Sequence, residues 1–287
     1  MRLVHAVVAI VAVLCVLALL GAGARPDRQK IPRIIHQTHS KPYAEMPREY
    51  RDQVSLVRRM NPEYEYRFYD GADRERFIRS VYGGDSAELR AYTSLNPEYG
   101  PARADLFRYL LMYEHGGVYL DVKSSTTVPL REVIRESDEY LLSSWCEGEC
   151  GGSHWDSLVH TGVGEYQQWW IACVPRHPFL RAVIDACVAG IAAYRFDASD
   201  TSTFGKSGVL RLTGPIAYTL AIHPLLRKHK HRLESNSFRG AMLYSYALRD
   251  GNSAPRHEDV ERAHYSTLTT PIVLKDASFF SGLMSQK

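Results

Sequence analysis

ARADLFRYLLMYEHGGVYLDVKSS, residues Ala102–Ser125, is the stretch on which the architecture turns. Pro101 suits a first helical turn, and Leu106, Tyr109, Leu110 and Tyr113 recur at the spacing of one helical face. A helix over Pro101–His115 is therefore expected, stopped by Gly116-Gly117 and followed by a short buried strand over Val118–Val122. Asp105 and Arg108 lie three residues apart and project from one side of that helix. The tight connection carries that side toward Asp121, at the carboxyl end of the strand. Two carboxylates and a guanidinium converging there suit a nucleotide sugar, with acid for hydroxyls and cation for diphosphate. A plain helix-surface ion pair between Asp105 and Arg108, worth roughly a few tenths of a kcal/mol, explains those two residues with no ligand.

Outward from this block, strands and helices alternate. Ile31–Thr38 (IPRIIHQT) reads as a first buried strand, Pro47–Asn61 as a helix, and Tyr64–Tyr69 as an aromatic strand. Asp70 is placed to cap a helix through Tyr82, which Gly83-Gly84 ends. Downstream, Tyr140–Trp145 and Trp169–Val174 read as strands, His177–Tyr194 and Gly214–His223 as helices, and Ile272–Leu274 as a late strand. This alternation predicts an α/β fold, with a mostly parallel sheet flanked by helices and a ligand site at the strand ends. There is no internal repeat and no low-complexity tract.

The chain has 287 residues, 45% of them apolar and 11% aromatic, which is the make-up of a folded domain with a real core. A net charge of +3 without a Lys/Arg run excludes nucleic acid as the expected partner. Leu3–Ala24 is apolar apart from His5 and long enough to cross a bilayer, which takes about 20 residues. It reads as a signal-anchor, or as a signal peptide cleaved after Ala22-Gly23-Ala24. Residues 25–30 are then a linker and 31–287 the catalytic domain. An anchor places that domain in the Golgi or ER lumen, on the membrane; a cleaved leader makes it secreted. Either compartment permits disulfides. Cys146 and Cys150 are placed to close a small loop, or to join His154 or His160 in a zinc site, whereas Cys173 and Cys187 sit in apolar surroundings.

The central block resembles the signature of the DXD-type glycosyltransferases of family 32, the group of initiating and inositol-phosphoceramide mannosyltransferases. IPRIIHQT, NPEYEYRFYD, QQWWIACVPRHPFL and LTGPIAYTLAI resemble further blocks of that family in the same order, so the resemblance runs from about Ile31 to His264. It implies a GT-A type, Rossmann-like fold, a GDP- or UDP-hexose donor with mannose as the family-level sugar, a glycan or glycolipid acceptor, and retention at the anomeric carbon. On the same resemblance Asp105 and Arg108 contact ribose and donor sugar, and Asp121 is the first acid of the DXD. The family's second acid, which holds Mn²⁺ or Mg²⁺, is replaced by Lys123. An ammonium has only donors and cannot ligate a cation. Three readings follow: Lys123 neutralises the diphosphate itself; Asp121 and His264 still hold a metal; or Lys123 points into solvent.

Gln167 and Gln168, with Glu165 as a carboxylate alternative, are the candidates for stabilising positive charge on the donor sugar. Trp169 and Trp170 are candidates for stacking on an acceptor, or for core packing. Thr213-Gly214-Pro215 opens a helix whose free N–H groups could face a phosphate, or is an ordinary cap. His36 and Gln37 end the first strand, where donor contacts are expected, and a structural histidine fits equally. The function expected is hexosyl transfer; the alternative is a catalytically inactive GT-A domain that binds sugar nucleotide or glycan without turnover, which Lys123 keeps open.

Overall fold

A computed structural model describes residues 29–145, 156–162, 164–244 and 265–274. Its first half follows the alternation expected: β1 (Ile34–Thr38), α1 (Arg48–Met60), β2 (Glu65–Tyr69), α2 (Gly71–Tyr82), α3 (Ala87–Ser94), α4 (Gly100–His115) and β3 (Gly117–Leu120). Asp70 caps α2 as its position predicts. Its carboxylate accepts from the amides of Ala72 and Asp73, and Asp73 returns a bond to the Asp70 amide. Then come β4 (Ser125–Thr126), the short α5 (Leu130–Val133), β5 (Tyr140–Ser143), β6 (Trp170–Cys173), α6 (Pro178–Ala193), α7 (Gly205–Leu212), α8 (Pro215–Ile222), β7 (Arg232–Glu234) and β8 (Met242–Leu243).

Six strands form one sheet in the order β2-β1-β3-β6-β5-β7, and β4 and β8 form a separate two-stranded ladder. β1 pairs parallel with both β2 and β3, and β5 pairs parallel with β7. β6 runs antiparallel to both of its neighbours, so it is the one reversed strand of a mostly parallel sheet. The central strands are buried throughout, and their side chains alternate between the two faces with the period of two that pleating imposes. Tyr119, Leu142 and Ile171 join the core under α4 and α6, whereas Val118, Leu120, Leu141 and Ala172 join the core on the opposite face.

α4 departs from the single apolar face expected of it. Ala102, Asp105, Leu106, Phe107, Arg108, Tyr109, Leu110, Leu111 and Met112 are all buried, because α2 and α3 pack on one side and α6 and α7 on the other. Its exit needs both glycines. Gly116 and Gly117 have φ of +60° and +89°, and a Cβ on them would lie 2.6 Å from the Pro175 nitrogen and the Ile34 carbonyl oxygen respectively. That tight turn lets β3 start beside β1 directly after the helix.

Ile272–Leu274 is not a sheet strand. Val273 makes a single bridge to Leu95, with the Asn96 amide donating to the Ile272 carbonyl and the Leu274 amide to that of Ser94. The segment thus straps the end of α3. Several elements were not expected at all: the helices α3, α5 and α7, the edge strand β7, and the ladder strands β4 and β8. The proposed membrane segment Leu3–Ala24 lies outside the described residues, and among those described no helix is long and apolar enough to cross a membrane.

Candidate active site

The helix–glycine–strand unit brings Asp105, Arg108 and Asp121 together. Arg108 lies between the two acids: Nη1 is 3.1 Å from Asp105 Oδ1 and Nη2 is 3.0 Å from Asp121 Oδ1. Nη1 also donates to the Gln168 carbonyl at 3.0 Å, and the guanidinium stacks on the Tyr119 ring at 4.9 Å. Tyr119, two residues before Asp121 on the same strand face, donates its hydroxyl to Asp121 Oδ1 at 3.1 Å.

Asp105 forms the floor. It accepts from the Gln168 amide at 3.2 Å and from the Thr213 hydroxyl at 3.1 Å, and both partners are buried with it. Burial raises its pKa to about 6; Arg108, Thr213 and Gln168 oppose that rise, and the nearby Asp121 charge adds to it. Asp105 and Arg108 are each 4% exposed, whereas the Asp121 side chain is 22% exposed. Asp121 therefore belongs to a rim that a ligand can touch. Its backbone is fixed twice, by its amide donating to the Trp169 carbonyl and by Gln37 donating to its own carbonyl at 3.2 Å.

The rest of the rim is aromatic and cationic. Trp145 (42% exposed) and Tyr244 (40% exposed) meet edge to face, and Trp169 tilts against both. The Lys123 ammonium lies 4.6 Å from the centre of the Tyr244 ring. Glu165 accepts from the Trp145 indole at 2.8 Å, and burial raises its pKa. From the carboxyl-terminal segment, Tyr265 comes within electrostatic range of Asp105, Asp121, Arg108 and Tyr244, and burial foremost holds its phenol protonated.

Several expected site residues stand elsewhere. His36 and Gln37 are fully buried and point to opposite faces of β1, because a strand paired on both sides has no free end there. His36 shares a hydrogen bond with Tyr69, stacks near His115, and is held neutral by burial, which lowers its pKa to about 3. Gln37 accepts from Tyr66 while it holds the Asp121 carbonyl, so it positions that acid. Gln167 turns away, donating to Ser237 and accepting from the Trp170 indole. Trp170 is a core residue packed on Phe238, and Trp169, 4% exposed, belongs to the same core and backs the exposed rings of Trp145 and Tyr244. Thr213 does not cap α8; Gly214 takes that position, and the Thr213 hydroxyl goes to Asp105. That helix start is buried, which leaves no room for a phosphate. Cys173 and Cys187 are buried free thiols. His264, Cys146, Cys150 and His154 lie outside the described residues.

Among the described residues the donor set does not suit a divalent metal. Asp121 brings one carboxylate, Asp105 is enclosed under Arg108, and Lys123 occupies the position of a second rim acid. Among the described residues no group of three or more His, Cys, Asp or Glu side chains could hold such an ion.

Tyr119, Trp145, Tyr244 and Tyr265 were missed in the sequence. Tyr119 carried a usable signal, since it shares its strand face with Asp121. The others reach the site from remote segments with no local pattern to mark them.

Comparison with known proteins returns the same resemblance that the central block suggested. Residues 47–140 match the family model described as a glycosyltransferase sugar-binding region containing DXD motif. The chain is 26% identical over 206 residues to the initiation-specific alpha-1,6-mannosyltransferase of Schizosaccharomyces pombe, covering 69% of this chain and 49% of that protein. It is 30% identical over 156 residues to the mannosyl phosphorylinositol ceramide synthase CSH1 of Saccharomyces cerevisiae, covering 54% of this chain and 35% of that one. The chain thus spans half or less of the length of these relatives. Among solved structures it is similar to the PaToxG glycosyltransferase, with a TM-score of 0.47 at 13% identity over 69% of this chain and 71% of the other.

Proposed function

We propose that the chain is a GT-A type hexosyltransferase, transferring a sugar, with mannose first in line, from a GDP- or UDP-hexose to a glycan or glycolipid. The observation that carries this reading is the single guanidinium of Arg108 joining a buried acid, Asp105, to an accessible one, Asp121, at the exit of β3. The family match over residues 47–140 and the mannosyltransferase relatives support the same reaction class.

In this reading Asp121 accepts hydroxyl hydrogens of the donor. Its Oδ1 is engaged by Arg108 and Tyr119, which fixes the carboxylate plane, and Oδ2 takes no hydrogen bond among the described residues. Asp105 and Arg108 hold the donor end of the cleft rigid, a preorganisation that removes reorganisation cost from the chemical step. Gln168 replaces Gln167 as the candidate for stabilising the sugar cation, because its amide oxygen has no partner while its nitrogen is held by Asp105. Charge stabilisation there fits transfer with retention. Trp145 and Tyr244 form the wall on which an acceptor sugar stacks, with the buried Trp169 packed behind them; Trp170 has no part in it.

Attachment to a Golgi or ER membrane with a lumenal catalytic domain is part of the proposal and rests on the composition of Leu3–Ala24. The test is turnover by the purified full-length chain with a panel of GDP- and UDP-hexoses and glycan and inositol-lipid acceptors, read by mass spectrometry. A glycosylated product supports transfer. Donor binding with no product across the panel would instead support the inactive alternative.

A further inference from the structure

The rim has a charge problem that the floor does not solve. Asp105, Arg108 and Asp121 together carry one positive and two negative charges, a net of −1 when both acids are ionised. A nucleoside diphosphate is itself strongly anionic and would meet this cluster with repulsion. Arg108 cannot relieve it, because both of its outer nitrogens already face the two acids and the Gln168 carbonyl, out of contact with solvent.

Among the described residues, Lys123 is a cation beside Asp121 that stays outside the acid pairs. It lies two residues beyond Asp121, yet it makes no ion pair with Asp121 or any other acid among the described residues. Its ammonium rests on the face of Tyr244, and that perch is built by the backbone. The Ser124 amide closes a turn onto the Asp121 carbonyl at 2.8 Å, and the Ser124 hydroxyl donates to the Tyr244 carbonyl at 2.9 Å. Immediately beyond, β4 pairs with β8, Ser125 opposite Leu243 and Thr126 opposite Met242. The lysine and its aromatic seat are thus tied at fixed separation beside the accessible acid. An ordinary surface lysine over a tyrosine would be stabilised by about 0.5–1 kcal/mol and need no such anchoring. Here a half-buried ammonium has its charge uncompensated, in the position where the family motif places its second acid.

We infer that Lys123, seated on Tyr244, is a built-in cation for the diphosphate of the donor, so that this site binds nucleoside diphosphates without a divalent metal. The inference rests on the transferase reading above and extends it to the cation the site uses. A tethered ammonium supplies charge-assisted hydrogen bonds to phosphate oxygens and needs no metal pool.

The test is calorimetry on the full-length chain with GDP and UDP, and with guanosine and uridine as uncharged controls, each in chelator and in Mn²⁺. The expected result is that one diphosphate binds in chelator within about twofold of its affinity in Mn²⁺. Lys123→Gln should weaken that diphosphate by roughly tenfold or more and leave the matching nucleoside unchanged. Lys123→Arg should keep chelator-resistant binding, and Lys123→Asp should bind the diphosphate only when Mn²⁺ is present. Melting curves of the three variants confirm that each is folded. Diphosphate binding that needs Mn²⁺ in the unmodified chain, or that is indifferent to Lys123→Gln, overturns the inference and leaves the transferase reading standing. No binding of either diphosphate in either condition overturns both.

Discussion

The floor of the cleft and its rim are built from the same residue types and behave oppositely. On the floor, Asp105 is enclosed by Arg108, Thr213 and Gln168, so its polar atoms are satisfied internally and it acts as part of the core. On the rim, Asp121 shares the same guanidinium but keeps solvent on one side, and Trp145 and Tyr244 keep exposed faces beside it. The difference teaches that one arginine can serve two purposes. Toward Asp105 it makes the structure; toward Asp121 it orients an acid that solvent can reach.

Removing the shared group should have the largest effect. Arg108→Leu leaves two acids without their counter-charge, one of them buried, and is expected to cost about 3–5 kcal/mol of stability. At about 2–4 °C per kcal/mol that is a drop of roughly 10 °C or more in Tm. A melting curve like that of the parent would show that the floor is no part of the fold's stability. Next comes Asp121→Asn, which should lower turnover by roughly a hundredfold, in line with loss of a transition-state hydrogen-bond partner, while Tm stays within about 2 °C. If Asp121→Asn also unfolded the protein, floor and rim would be one unit.

Asp105→Asn separates them by pH. Burial raises this carboxyl from 3.8 to about 6, so between those values the folded chain holds a proton that the unfolded chain has released. Stability from this group therefore falls as pH rises from about 4 to 6, and it is that decline which Asp105→Asn should flatten in a plot of Tm against pH. Asp121→Asn, which removes only the smaller contribution of its charge to that shift, should leave most of the slope in place. His36 adds the opposite sign: with its pKa lowered to about 3, the unfolded chain takes the proton first, and stability falls as pH drops below 6.5. The smallest expected effect is that of Trp145→Ala, where an exposed ring is lost from the wall. Acceptor KM should rise severalfold, about 1 kcal/mol, with kcat and Tm nearly unchanged. A loss in kcat alone would place Trp145 at the reacting centre instead.

Much of this was legible because it is local. Asp105 and Arg108 at i and i+3, a glycine pair and a short strand define the core of the site within twenty residues, and the capping box at Asp70 was equally readable. What sequence periodicity could not supply was direction across a sheet buried on both faces. Trp169 and Trp170 are neighbours with the same chemistry and both are buried, yet one backs the exposed Tyr244 and Trp145 while the other packs onto Phe238. His36 and Gln37 are divided in the same way. Thr213 reaches Asp105 and Tyr244 reaches Lys123 from far along the chain, and Gly214 rather than Thr213 caps α8 while the threonine hydroxyl goes to Asp105.

The reversed strand has a further consequence. In an all-parallel sheet every strand would deliver its exit to the cleft, so changing one loop would disturb the strand that feeds it and the helix that follows. Because β6 runs backward, its entrance, Gln168-Trp169, lies beside the exit of β3, where the Asp121 amide bonds to the Trp169 carbonyl. The chain between β5 and β6 can then lengthen, shorten or change composition upstream of that entrance while Leu120 stays opposite Trp170. Sequence change in that one connection is thereby uncoupled from the strand that carries Asp121 into place.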